Sequence, residues 1–271
     1  TLNKRLMIKI PYIKRVIIIL IVIVLFSLAY SVLIPDISRL KKENPRKTAL
    51  MEYREGEWKE KGKKYRLYQQ WVPLSQVSPY LIRAVLIAED DKFWRHEGFD
   101  YEAIQKAIEK DIKARKFKLG GSTISQQLVK NLYLSPSKNP FRKFIEVLIT
   151  LRMERIISKK RILELYLNVV EWGEGIFGIE AASRHYYGKP SSALTPEEAS
   201  RLAAVLPNPR KYNPLANQRY VVFRSNLIYS IMVRRGIVVP EYDEVVEESA
   251  LPEEATESPP SDTIEGQHPA E

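Results

Sequence analysis

Residues Ser78 to Gly98, SPYLIRAVLIAEDDKFWRHEG, set the terms for reading the whole chain. Ser78 suits a helix N-cap, and Pro79 suits the first helical position, where its missing N–H is no loss. The run that follows is apolar except for Arg83 and closes on Glu89, Asp90 and Asp91, so it predicts a helix that carries carboxylates off a hydrophobic wall. A carboxylate in that position loses hydration, which raises its pKa toward the range a general base needs near neutral pH. The alternative is a charged C-terminal turn facing solvent.

From Ser78 to about residue 235 the pattern stays helical, which makes the body mainly α. Residues 100–116 form a basic amphipathic stretch with Ile104, Ile108 and Ile112 at four-residue spacing, and a further helix is expected just after Gly120-Gly121. Phe141–Ile157 and Lys159–Val169 follow, separated by a candidate cap at Ser158. Ile176–Tyr187 is expected to end at Gly188, a residue that tolerates a left-handed C-terminus. Thr195 and Glu198 form a capping box that opens a helix running to Leu206, ahead of Pro207-Asn208-Pro209.

Two further groups of residues can carry chemistry. In GGSTISQQLVKN, residues 120–131, a double glycine before a hydroxyl-rich helix start suits an anion. Gln127, Lys130 and Asn131 share one face there, while Gln126 either serves the same site or closes a capping box with Thr123. In RKFIE, Arg142, Lys143 and Glu146 also share a face. They form either a surface salt bridge or, with Lys130, a cationic pocket for a di-anion such as a pyrophosphate. The Ser-x-x-Lys match at Ser135 to Lys138 is discounted, because a proline interrupts it and no Lys-Thr-Gly follows.

The 271 residues allow one domain with appendages, and 45% hydrophobic content is ample for a core. There is no cysteine and there are three histidines, which removes disulfides, thiolate nucleophiles and Cys-based zinc sites. A catalytic metal would have to sit on carboxylates, as magnesium or manganese does. The net charge of +10 hides a division. Residues 241–271 hold eleven acids and no Lys or Arg, leaving +21 on residues 1–240. A body so basic implies a polyanionic partner. The Pro-, Glu- and Ser-rich tail has the composition of a disordered segment.

Val16 to Ile34 is 19 residues without a charge. As a helix it would reach roughly 28 Å, enough to span a bilayer core. Ser27-Leu28-Ala29 offers a signal-peptide cleavage site, but the apolar run continues past it, which favours an uncleaved anchor. Five basic residues precede the span and five lie in residues 36–50, so the Lys/Arg count leaves the orientation tied. Residues 35–72 read as a membrane-proximal polar stalk with weak strand character near Tyr65–Trp71.

AEDDKFWRHEG, GGSTISQQLVKNLYL, RKFIE and KKRILELYLNVVEWGEGIFGIEAASRHYYGK resemble, in order and spacing, the family-51 peptidoglycan glycosyltransferases of the monofunctional, membrane-anchored type. The likeness runs from about Pro73 to Met232. It implies a lysozyme-like, mainly α, two-lobed glycosyltransferase domain (residues 73–240) behind an N-terminal transmembrane helix at 16–34. The implied activity is inverting polymerisation of lipid II into β-1,4-linked glycan with release of undecaprenyl pyrophosphate. The resemblance makes Glu89 the general base, and Glu146 the second essential carboxylate, acting directly or through a divalent cation, magnesium or manganese. Asp90, Phe93 and His96 complete the first motif. Ser122, Thr123, Gln126, Gln127, Lys130 and Asn131 would line the donor side, with Arg142 and Lys143 on its pyrophosphate. Lys160, Arg161, Glu164, Tyr166 and Asn168 would support the cleft, and the last motif, an Arg followed by two aliphatics, falls near Arg224. The implied partners are lipid II, the growing glycan strand, cytoplasmic-membrane lipids and other cell-wall synthesis proteins, with no nucleic acid. Residues 1–15 would then be cytoplasmic and the catalytic domain external. Rival readings are a glycan-cleaving enzyme of lysozyme-like fold and a non-catalytic wall-binding protein.

Overall fold

The computed structural model describes residues 15, 17–21, 35–64, 66–114, 121–136 and 140–239. Most of the apolar run 16–34, Gly120, the end of the basic stretch at 115–116, and the acidic tail lie outside the described residues. Among the described residues no helix is long and apolar enough to cross a membrane.

The fold is mainly α. Helix α1 (Ala49–Glu60) is followed by strand β1 (Tyr68–Gln69) and helix α2 (Pro79–Glu89). Then come α3 (Tyr101–Ala114), α4 (Ile124–Tyr133), α5 (Pro140–Ile156) and α6 (Lys159–Val169). Strands β2 (Glu171–Gly173) and β3 (Ile176–Phe177) precede α7 (Ile179–Tyr187), α8 (Pro196–Val205) and α9 (Arg219–Arg234). Helix α2 packs on α8 and α9, while α4 packs on α5, α6 and α1. Leu81 of α2, Leu128 of α4, Ile162 of α6 and Leu202 of α8 are fully buried in one shared core.

Several ends form for the reasons the sequence suggests. Thr195 and Glu198 make a complete capping box, Ser158 caps α6, and Gly188 closes α7 at φ +67. Ser78 departs from expectation. It holds the N-cap position, but its hydroxyl donates to Leu194 O at 2.9 Å, tying α2 to the segment ahead of α8.

The expected helix from Ile176 begins three residues later. Ile176 and Phe177 instead form the central strand of a three-stranded sheet ordered β1-β3-β2. β3 runs parallel to β1, with Tyr68 opposite Ile176, and antiparallel to β2. Gly178, at φ +81, then turns the chain into α7. A Cβ there would lie 2.7 Å from Asn168 O, so no larger residue fits.

The larger departure is α1, in a segment read as stalk. Met51 and Trp58 are buried, and the helix lies against α4. Upstream of it Ile37 is fully buried, and Arg161 of α6 donates to Leu40 O, Glu43 O and Asn44 Oδ1 at 2.8, 2.9 and 2.8 Å. The region before Pro73 is therefore integral to the core.

Candidate active site

Helix α2 buries Leu81, Ala84, Val85 and Leu86 and delivers Glu89 as its last residue. Asp90 follows at φ −163 and ψ 75, which ends the helix. Its buried carboxylate accepts the Ile124 N–H at 2.9 Å, at the start of α4, where the helix dipole favours a negative charge. His96 Nε2 approaches the same carboxylate at 2.9 Å. Because Gly98 N–H donates to His96 Nδ1 at 3.1 Å, the proton of a neutral ring sits on Nε2 and points at Asp90. Asp90 thus joins the end of α2 to the start of α4 and sets Glu89 beside Gln127, one turn along.

Glu89 is 11% exposed at its side chain. Gln127 Nε2 donates to its Oε2 at 2.9 Å, and Arg224 Nη2 of α9 lies 3.6 Å from Oε1. Burial raises the Glu89 carboxyl above its ordinary value, and only partly do Gln127, Arg224 and Lys130 pull it back. Gln127 Oε1 in turn accepts from the hydroxyl of Tyr166, whose ring is fully buried on α6.

One turn beyond Gln127, Lys130 is mostly buried, and burial lowers its pKa. Glu146 and Glu89 act against that shift, whereas Arg142 and Lys143 add to it. The two carboxylates therefore act on one ammonium from different helices. Glu146 is 4% exposed and pairs with Lys143, whose side chain is mostly in solvent. Arg142 donates to Ser135 O at 3.3 Å. Gln127, Lys130, Asn131 and Arg142 line a cavity of about 520 Å³, together with Arg54 and Glu171.

Other residues expected at the substrate have internal partners. Phe93 is fully buried under the Lys159 ammonium, 4.5 Å from the ring centroid. Thr123 and Gln126 close a capping box on α4, and the Thr123 hydroxyl donates to Gly98 O at 2.7 Å. Of the two readings open for Gln126, the structure takes the box. With Asp90 and His96, these side chains brace the cavity wall and do not line it; Ser122 is exposed and also outside the lining.

Arg54 and Glu171 were not anticipated. Arg54 on α1 donates through Nε to Glu171 Oε2 at 2.9 Å and through Nη1 to Glu57 Oε2 at 2.7 Å. Glu171 is 3% exposed, and burial raises its carboxyl against the pull of Arg54. Nothing in the local spacing links residues 117 positions apart. The charged turn Arg54-x-x-Glu57 signals a helix but not its partner. Arg224 was only approximately placed in sequence, and its Nη2 donates to Ala88 O at 3.0 Å, beside Glu89.

The site thus sets a buried carboxylate beside a cationic cavity in a mainly α domain. The transglycosylase family model matches residues 56–233, and the chain belongs to that family. It is similar to the biosynthetic peptidoglycan transglycosylase of Nitrosospira multiformis, with 50% identity over 194 residues, 72% of this chain and 84% of the relative. The protein of the same description from Dechloromonas aromatica is 55% identical over 170 residues, 63% of this chain and 74% of the relative. That from Azoarcus sp. is 56% identical over 172 residues, 64% and 74% of the two chains. Glu89, Lys130, Arg142, Glu146 and Arg224 all fall inside the family match, and Arg54 lies just before it.

Proposed function

We propose that this protein polymerises lipid II into β-1,4-linked glycan strands and releases undecaprenyl pyrophosphate, acting in cell-wall synthesis. The supporting observation is Lys130, mostly buried on α4, under the influence of both Glu89 and Glu146, and lining the same cavity as Arg142. Glu89 takes the proton from the attacking sugar hydroxyl, a task suited to a carboxylate whose pKa burial has raised. Lys130, Arg142 and Lys143 meet the charge of the departing pyrophosphate. Glu146 holds Lys143 toward that leaving group.

A divalent cation at Glu146 fits the residues poorly. Its carboxylate is engaged with Lys143, and among the described residues no group of three His, Asp or Glu side chains could hold a metal. The reaction as proposed uses the three basic side chains. The apolar run at residues 16–34 anchors the chain in the cytoplasmic membrane, with the catalytic domain on the outer side, where lipid II and the growing strand are met.

Purified full-length protein incubated with lipid II is expected to yield glycan ladders on a gel. Glu89→Gln should lower the rate about 100-fold or more, as loss of a general base does. Release of muropeptides from finished wall, with no chain growth, would overturn this reading.

A further inference from the structure

The hydroxyl of Tyr166 has no place in the chemistry above, yet it donates to Gln127, which holds Glu89. Resting on the polymerase reading, we propose that Tyr166 is a positioning residue for Glu89, acting through Gln127. A primary amide has one accepting end and one donating end. With Gln127 Oε1 occupied by the Tyr166 O–H at 3.0 Å, Nε2 is left to donate to Glu89 Oε2 at 2.9 Å.

The consequence appears when Glu89 takes up a proton. A free amide could turn over and accept from the new carboxylic acid, which would stabilise the neutral form. Tyr166 opposes that turn, because a turned amide would leave its buried O–H without the acceptor it now has. Gln127 therefore stays a donor through the catalytic cycle and favours the carboxylate, the form a base must regain. Burial keeps the Tyr166 phenol protonated far above its usual range, so it remains a donor at any working pH. The other charged groups facing Glu89 are Arg224 from α9, Lys130 from α4 and the adjoining Asp90. Each acts through its charge, while the Tyr166–Gln127 pair acts through hydrogen-bond direction.

The test is the pH dependence of kcat/KM for glycan polymerisation by the full chain on lipid II. Tyr166→Phe keeps the buried ring and removes one oxygen. It should move the acid limb upward by about half to one pH unit, so that a loss of roughly 3- to 10-fold on the acid limb shrinks as the pH is raised. A purely structural role would lower the rate at all pH values alike. Gln127→Met should move the limb at least as far, and adding Tyr166→Phe to it should move the limb no further. An unmoved limb in Tyr166→Phe, or a second independent shift in the double variant, overturns the relay. Where Tyr166→Phe does not fold, an unmoved limb in Gln127→Met overturns it equally. Wild-type protein that forms no glycan would sink the polymerase reading and the relay together. Wild-type polymerisation with an unmoved limb sinks the relay alone.

Discussion

Glu89 is in a state that folding alone would not favour. Its carboxyl, pushed by burial above the ordinary 4.5, binds a proton more readily in the folded chain than in the unfolded one. Stability therefore falls as pH rises from about the ordinary value through the raised one, and the deficit is full above the raised value. Glu89→Gln should accordingly raise the melting temperature at pH 7.5 by about 2–4 °C, the effect of roughly 1 kcal/mol in a domain of this size. That gain should disappear below about pH 4, where both folded and unfolded carboxyls are protonated. A melting temperature that drops at pH 7.5 would refute the burial argument. Lys130 supplies the opposite limb. Its lowered pKa predicts that activity declines at a lower alkaline pH than a solvent-exposed lysine would give, so the rate profile should be bell-shaped. Glu89 was legible in sequence because an apolar helix ran directly into it. Gln127 was legible as part of the polar face of α4 but not as a bridge, since its two partners lie 38 and 39 positions away in opposite directions along the chain.

Among elements, the junction between α2 and α4 governs the site, and Asp90 governs the junction. Asp90→Ala leaves the Ile124 N–H and His96 without their acceptor in a buried place. That should cost about 2–3 kcal/mol and several degrees of melting temperature, while Asp90→Asn, which keeps an accepting oxygen, should lose distinctly less. Equal losses would show that the acceptor is not what joins the two helices. The helices α2, α6 and α8 could be read from apolar periodicity and caps. Helix α1 could not, because Met51 and Trp58 are its only buried residues and six of its twelve positions are charged. Its anchor, Arg54 on Glu171, is a pairing across 117 residues that no local pattern encodes. β3 was hidden for a related reason: Ile176 and Phe177 are as apolar as a helix start, and only their neighbours β1 and β2 make them a strand.

For the molecule as a whole, the +21 on residues 1–240 resolves at the cavity into Lys130 and Arg142 lining it, with Lys143 beside them. The feature with the widest reach is Ile37. The apolar run ends at Ile34, and three residues later the chain is already fully buried. Three residues extend at most about 10 Å, so on the proposed anchoring there is no leash between bilayer and catalyst. A leashed domain would roam a hemisphere and meet its substrate by collision. On that anchoring this one would stay within a short distance of the lipid. Inserting about ten Gly/Ser residues between Pro35 and Asp36 should leave the folded domain's melting temperature unchanged. It should slow polymerisation of lipid II embedded in vesicles several-fold, with much less effect on detergent-dispersed substrate. Equal rates on both substrates would show that the altitude of the cleft is immaterial. Otherwise, the short mount is what turns a three-dimensional search into a two-dimensional one, with the membrane itself feeding the enzyme.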